Sequence, residues 1–234
     1  MNRLSERLLE RRRAGYVPVI PDFKMISPAE GPLFSGRDVL RAAKALEEAG
    51  APALSVVTEE REFGGSLNLL SDIVKAVDIP VLRKDFIRTV ADIEETARRG
   101  AAAVLLICSC LDEAALGLLY RAAISCGLEP LVEAHTAQEL RRAGNLGARL
   151  VGINNRDILT LERDGGTVST TSALAAGKPE GAVLISESGI RSPADVRAAL
   201  AAGADAVLVG TAVWRAEAPV SFYRELSAAG GATV

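Results

Sequence analysis

The sequence predicts one α/β domain over residues 1–234, a closed (β/α)8 TIM barrel with a short N-terminal helix. Three observations lead there. A short Val/Leu/Ile-rich run, a polar loop and an amphipathic stretch recur along the chain. A Gly-Ala pair ends a helix and opens a strand at Gly50-Ala51, Gly100-Ala101, Gly147-Ala148 and Gly203-Ala204. The chain has 234 residues and is 49% hydrophobic, enough to fill one core with eight such units. Glycine suits the left-handed position just past a helix end. The pair marks every second unit and implies four similar quarters. Strict β/α alternation means parallel strands with right-handed crossovers, and eight units in a chain of this length point to a closed ring rather than an open sheet.

The elements follow in order. Met1 to Gly15 is charged, with Leu4, Leu8 and Leu9 at the spacing of one helix face. It ends in Arg11-Arg12-Arg13, read as the solvated end of a helix where cations suit the dipole. Strands are expected at Val17–Phe23, Ala53–Thr58, Pro80–Phe86, Ala103–Cys108, Pro130–Ala134, Leu150–Asn154, Ala182–Ser186 and Ala206–Gly210. Helices fall between them, among them Gly36–Ala49, Asp112–Ser125 and Ser192–Ala202. Asp112, Thr136 and Ser192-Pro193 are good helix starts, two by side-chain capping and the last with proline at the first helical position. Aromatic residues make up only 4% of the chain, so aliphatic side chains must fill the core.

Several classes of function are excluded. Net charge is -3, and no broad basic field exists to hold nucleic acid. The N-terminus lacks the apolar segment of a signal peptide, and the apolar run Ala101 to Cys108 is too short to span a bilayer. Cys108, Cys110 and Cys126 form no CxxC pair and the chain has one histidine, so neither a zinc site nor any other metal is expected. An odd, small set of thiols suits a reduced, cytoplasmic protein. Cys108 and Cys110 read as small core residues. No exposed apolar stripe is evident, so a monomer is expected.

In such a barrel the chemistry sits at the C-terminal ends of the strands. Charges there should be scarce unless they function, because burying an unpaired charge is costly. They are not scarce: Asp22-Phe23-Lys24 and Ser27-Pro28 follow strand one, Arg83-Lys84-Asp85-Phe86 closes strand three, and Glu133 lies in strand five. Strand six ends in Gly152-Ile153-Asn154-Asn155-Arg156-Asp157, strand seven in Ser186-Glu187-Ser188-Gly189-Ile190, strand eight in Gly210-Thr211. Any one of these could be a structural ion pair at the rim. Six strand ends together, with lysine and glutamate both present, point to a catalytic mouth. His135 reads as an ordinary loop histidine. Ser188-Gly189 and Gly210-Thr211 let backbone N–H groups approach an anion closely, and the GTAVW run opening a short extra helix adds a favourable dipole. This is the phosphate site of the fold.

These runs, in order and at normal spacing from residue 17 on, resemble the indole-3-glycerol phosphate synthases. Leu54-Ser55-Val56-Val57-Thr58-Glu59 and Phe63-Gly64-Gly65-Ser66 are similar to that family's second strand and loop. The resemblance implies ring closure of an anthranilate-derived aminodeoxyribulose phosphate in tryptophan biosynthesis, with loss of carbon dioxide and water and without cofactor. It implies Lys84 as the acid on the carbonyl oxygen and Glu133 as the acid/base of dehydration. Lys24 pairs with the substrate carboxylate, Asn154 orients hydroxyls and Glu187 supports the cations, while Asp22 completes the catalytic set. Ser27, Ser188, Gly189, Gly210 and Thr211 hold the phosphate, and Phe86 and Arg156 also contact the substrate. The only partner implied is that phosphorylated small molecule. Three departures stand out: Asp22 replaces a glutamate, Ala29 replaces a serine, and a long N-terminal extension over the mouth is reduced to about one helix. They leave two other readings open, a diverged phosphosugar lyase or isomerase and a non-catalytic barrel that binds a phosphorylated metabolite.

Overall fold

The computed structural model describes residues 3–156 and 167–230. Its strands are β1 Val19–Phe23, β4 Leu54–Val57, β5 Val81–Lys84, β6 Ala103–Ile107, β7 Glu129–Ala134, β8 Leu150–Asn154, β9 Val183–Glu187 and β10 Ala206–Val209, with a small hairpin of β2 Ile26–Ser27 and β3 Gly31–Pro32 after β1. The eight longer strands pair in parallel and close a barrel, in which β1 joins β4 on one side and β10 on the other. Helices α1 Leu4–Arg13, α2 Val39–Glu48, α3 Leu67–Ala76, α4 Val90–Arg98, α5 Glu113–Ser125, α6 Ala137–Asn145, α7 Ser169–Leu174, α8 Pro193–Ala201, α9 Thr211–Arg215 and α10 Pro219–Ala228 complete it. The expected (β/α)8 barrel is therefore present, and α9 is the short extra helix after the last strand.

The predicted caps form. Asp112 accepts the Ala115 N–H, Thr136 and Glu139 make a reciprocal capping box, and Ser192 accepts the Asp195 N–H before Pro193. All four Gly-Ala glycines have positive φ, as the repeat requires. Boundaries move where side chains compete for backbone groups. α2 starts at Val39 rather than near Gly36, because Asp38 accepts the N–H groups of Leu40 and Arg41. β5 stops at Lys84 because the Asp85 carboxylate takes the Phe86 N–H at 2.8 Å. β1 begins at Val19, since the Val17 N–H goes to the Ser227 carbonyl of α10.

Residues two apart on a strand share a face, and this period builds the interior in layers. Ile20, Leu82, Leu131, Leu150 and Ile185 point inward in one buried apolar cluster. The next inward positions toward the C-terminal end are Asp22, Lys84, Glu133, Gly152 and Glu187. The polar mouth therefore stands directly on an aliphatic floor.

The N-terminal helix lies at the other end. Leu4 and Leu8 of α1 join the interior cluster, and Ser5 bonds the Glu129 carboxylate at the start of β7 through both its N–H (3.0 Å) and its hydroxyl. Arg12 pairs with Asp205 at the start of β10, and Arg11 stacks on Tyr16 and donates to Ser227 at 3.2 Å. The arginine run is thus more than a solvated helix end, because two of its members tie α1 to the barrel. α1 plugs the bottom of the ring and forms no part of a cover over the mouth.

Candidate active site

Lys84 is the hub. Its Nζ lies 3.7 Å from Glu133 Oε2 and 3.7 Å from Glu187 Oε2, and both carboxylate side chains are 0% exposed. Parallel pairing sets this up, with Glu133 opposite Gly152 on β8 and Asn154 opposite Glu187 on β9. Gly152 is needed because a Cβ there would come within 2.0 Å of Glu187 Oε1. Only a bare backbone leaves room for the second carboxylate.

Of the Arg83-Lys84-Asp85-Phe86 run, Lys84 alone joins this set. Arg83 points outward and donates to Thr58 (2.9 Å), Thr96 (2.9 Å), the Asp92 carbonyl (3.1 Å) and Asp85 (2.8 Å). Here the rim ion pair is the correct reading. The same network bears on Asp92: burial raises its carboxyl, but N–H groups of Arg88 and Thr89, the Thr89 hydroxyl and nearby Arg83 outweigh it and hold the group below the ordinary carboxylate value.

On β1, Asp22 accepts the Ser55 hydroxyl at 2.6 Å and its carbonyl accepts the Trp214 indole N–H at 2.6 Å. Trp214 packs on Phe23 and Phe34, so this bond clamps α9 to β1. Lys24 Nζ stands 5.5 Å from the centre of the Phe63 ring, close enough for a cation–π contact. Asn154 Oδ1 accepts the Arg156 N–H at 3.1 Å, while its buried Nδ2 meets no acceptor among the described residues. That leaves a donor for a ligand.

The turn after β9 is built with care. Ser188 has φ 62, a left-handed conformation unusual for a residue with a side chain. Asn155 holds it: Nδ2 donates to the carbonyls of Glu187 (2.9 Å) and Ser188 (3.1 Å), and Oδ1 accepts from the backbone and hydroxyl of Thr171.

Two hollows meet at Asp22, Lys24 and Lys84. One is a cavity of about 500 Å³ whose wall includes Ser188, Gly189, Gly210, Thr211 and Arg156, with Arg191 and Arg215 at its edge. The other is a narrow slot between Phe63, Phe86, Val57, Leu105 and Ile107. One end, with its backbone turns and arginines, suits an anion; the other is faced by aromatic and aliphatic side chains, with Glu59 and Asp85 beside them. Ser27 is buried in β2 and lines neither hollow. Asp157 lies outside the described residues.

Phe63, Ser55, Asn155, Gly152 and Trp214 were not singled out from the sequence. Only spatial register reveals their tasks, although all five fall in runs quoted from the sequence. His135 lies in the loop after β7, with its Nε2 3.7 Å from Glu133 Oε1 and neither ring nitrogen hydrogen-bonded among the described residues. Cys108 is buried, which pushes its thiol up to about 12, and Cys110 packs partly against the interior cluster. Among the described residues, no group of three or more His, Cys, Asp or Glu side chains could hold a metal ion, and no helix is long and apolar enough to cross a membrane.

Comparison with known proteins agrees with this geometry. The family model for indole-3-glycerol phosphate synthase matches residues 1–226. The indole-3-glycerol phosphate synthase of Pyrococcus furiosus is 44% identical over 92% of this chain and 93% of its own length. Those of Micrococcus luteus and a Parafrankia species are 45% and 46% identical, over 91% and 93% of this chain and 78% and 80% of theirs. A match over nearly the whole chain, on a barrel whose mouth holds a lysine between two sealed carboxylates, places this chain in the indole-3-glycerol phosphate synthase family.

Proposed function

We propose that the chain is an active indole-3-glycerol phosphate synthase, acting on 1-(2-carboxyphenylamino)-1-deoxyribulose 5-phosphate. The carrying observation is Lys84, set between Glu133 and Glu187 where the anion cavity meets the apolar slot. The substrate has matching parts: a phosphate at one end, an aromatic ring at the other and a ketone between.

The phosphate occupies the cavity bounded by Ser188-Gly189 and Gly210-Thr211, with Arg156 nearby. The aryl ring enters the slot beside Phe63 and Phe86, and Lys24 meets its carboxylate. Lys84 donates a proton to the ketone oxygen as the ring carbon attacks the carbonyl carbon. Carbon dioxide then leaves, and the electron pair of its bond restores the aromatic ring. For dehydration, Glu133 in its acid form protonates the departing hydroxyl. The Lys84 amine takes the proton from the neighbouring ring carbon and is restored. Asn154 holds a substrate hydroxyl with its spare donor, Glu187 steadies Lys84, and Asp22 supports Lys24 and the ketone end. General acid–base help of this kind contributes roughly 10²–10⁴-fold.

The test is direct. The purified chain is mixed with that substrate, without added metal, and indole fluorescence is followed. Product is expected from the native chain, with Lys84→Ala slowed at least about 100-fold. Binding seen by calorimetry without any indole product would instead indicate a different reaction on the same phosphorylated scaffold.

A further inference from the structure

The synthase reaction consumes a proton. A substrate carboxylate plus one proton becomes indole product, carbon dioxide and water. In the scheme above Lys84 gives one proton and regains one, whereas Glu133 gives one and regains none. Each turnover therefore leaves Glu133 as a carboxylate that must be recharged from solvent.

Solvent does not reach it. The Glu133 side chain is 0% exposed, and among the described residues neither of its oxygens accepts a hydrogen bond. A buried carboxyl in that condition is costly and calls for a functional cause. Two nitrogens face it, one per oxygen: Lys84 Nζ at 3.7 Å from Oε2, and His135 Nε2 at 3.7 Å from Oε1. Lys84 is engaged with the substrate. The His135 side chain is 17% exposed, but both of its ring nitrogens are buried without a hydrogen-bond partner among the described residues, so its way out runs past Glu139, whose side chain is 13% exposed.

The ring has a second carboxylate on its other side. Its Nδ1 lies 3.8 Å from Glu139 Oε2, and that oxygen is fixed by the N–H groups of His135 (2.6 Å) and Thr136 (3.2 Å) at the start of α6. The imidazole thus stands between two carboxylates, one sealed and one at the rim. Among the described residues, Cys108 and Cys110 in the turn after β6 lie near both Glu133 and Glu139, with Arg142 of α6 beside Cys108 and Arg88 beside Cys110. Burial pushes both thiols up and keeps them protonated, while Arg142 is occupied by the carbonyls of Cys108 and Leu111. Separations of 3.7–3.8 Å are one small side-chain adjustment from hydrogen bonds, and such contacts tighten when substrate fills a site.

We propose that His135 is the positioning residue through which Glu133 regains its proton: the imidazolium gives its Nε2 proton to Glu133 Oε1, and the neutral ring takes one proton at Nδ1, handed in from solvent by Glu139 at the rim, before the next turnover. The inference rests on the synthase reading. Imidazole suits the task because it carries two distinct nitrogens, one facing each carboxylate.

The test uses His135→Ala and His135→Gln beside the native chain, with and without imidazole in the buffer. Both substitutions keep the backbone N–H that Glu139 caps, and circular dichroism checks the fold. Expected is a loss in kcat of about 100-fold in both, with KM near the native value and a rate for His135→Ala that climbs with imidazole concentration. Native kcat in either variant, or a loss that imidazole does not restore, would assign His135 to packing and overturn the proposal. A native chain that makes no indole product would sink the synthase reading and this proposal with it. A native chain that is active while its variants match it sinks only the proposal.

Discussion

At the scale of single residues, the site depends as much on what is missing as on what is present. Glu187 can face Lys84 only because position 152 carries no side chain. A methyl there would stand 2.0 Å from the Glu187 carboxylate oxygen and 3.1 Å from its Cδ, so that side chain has to give way. In Gly152→Ala, Glu187 must therefore swing away and Lys84 loses one of the two carboxylates beside it. The expected outcome is a kcat loss of about 100-fold, since an ångström of misplacement at the reacting centre costs that much. Steady-state turnover measured beside circular dichroism checks it, and a variant that folds and keeps native kcat would show that Glu187 is dispensable. The same reasoning applies at Asp22. Its shorter side chain is pinned by the Ser55 hydroxyl and lies against Gly210, so its position is fixed from both sides rather than left to a flexible stem.

At the scale of elements, the two ends of the barrel have separate tasks. α1 buries Leu4 and Leu8 in the bottom of the ring, far from Lys84. Leu8→Ala removes a fully buried side chain and is expected to cost about 2–5 kcal/mol of stability. Denaturant unfolding should show that loss while kcat at 25 °C stays native. A matching fall in kcat would mean that α1 communicates with the mouth. The fold was legible because its elements obey local rules. Thr136 and Ser192 cap as their spacing predicts, and period-two alternation separates Arg83 from Lys84 by face. The β2–β3 hairpin was not legible, being set by the Leu33 N–H bonding back to the Met25 carbonyl, a contact with no period to betray it. The location of α1 was hidden for a similar reason. An amphipathic helix announces that it has a partner, but the partner surface, here Ile20, Leu82 and Leu131, is assembled only once the ring closes.

At the scale of the whole molecule, the barrel gathers six strand ends into one mouth, and this explains which site residues could be read in advance. Lys84, Glu133 and Glu187 are charges in apolar strands and stand out in one dimension. Phe63, Gly152 and His135 carry no such anomaly, and their meaning comes only from what lies across the ring. The cavity at Gly210-Thr211 exists only when β1, β9 and β10 are in register, so a ligand that fills it binds the folded chain and not the unfolded one. Stability must then rise with ligand concentration. At 100 times its dissociation constant, indole-3-glycerol phosphate is expected to add about 2.7 kcal/mol, which for a chain of this size lifts the melting midpoint by roughly 5–11 °C. Thr211→Asp places a negative charge at the phosphate end. It should abolish the lift while leaving the unliganded midpoint little changed, since the side chain is only partly buried. Differential scanning fluorimetry across a ligand series measures both. A full lift retained in Thr211→Asp would move the phosphate away from α9, and with it the orientation that puts the aryl ring beside Phe86 and the ketone beside Lys84.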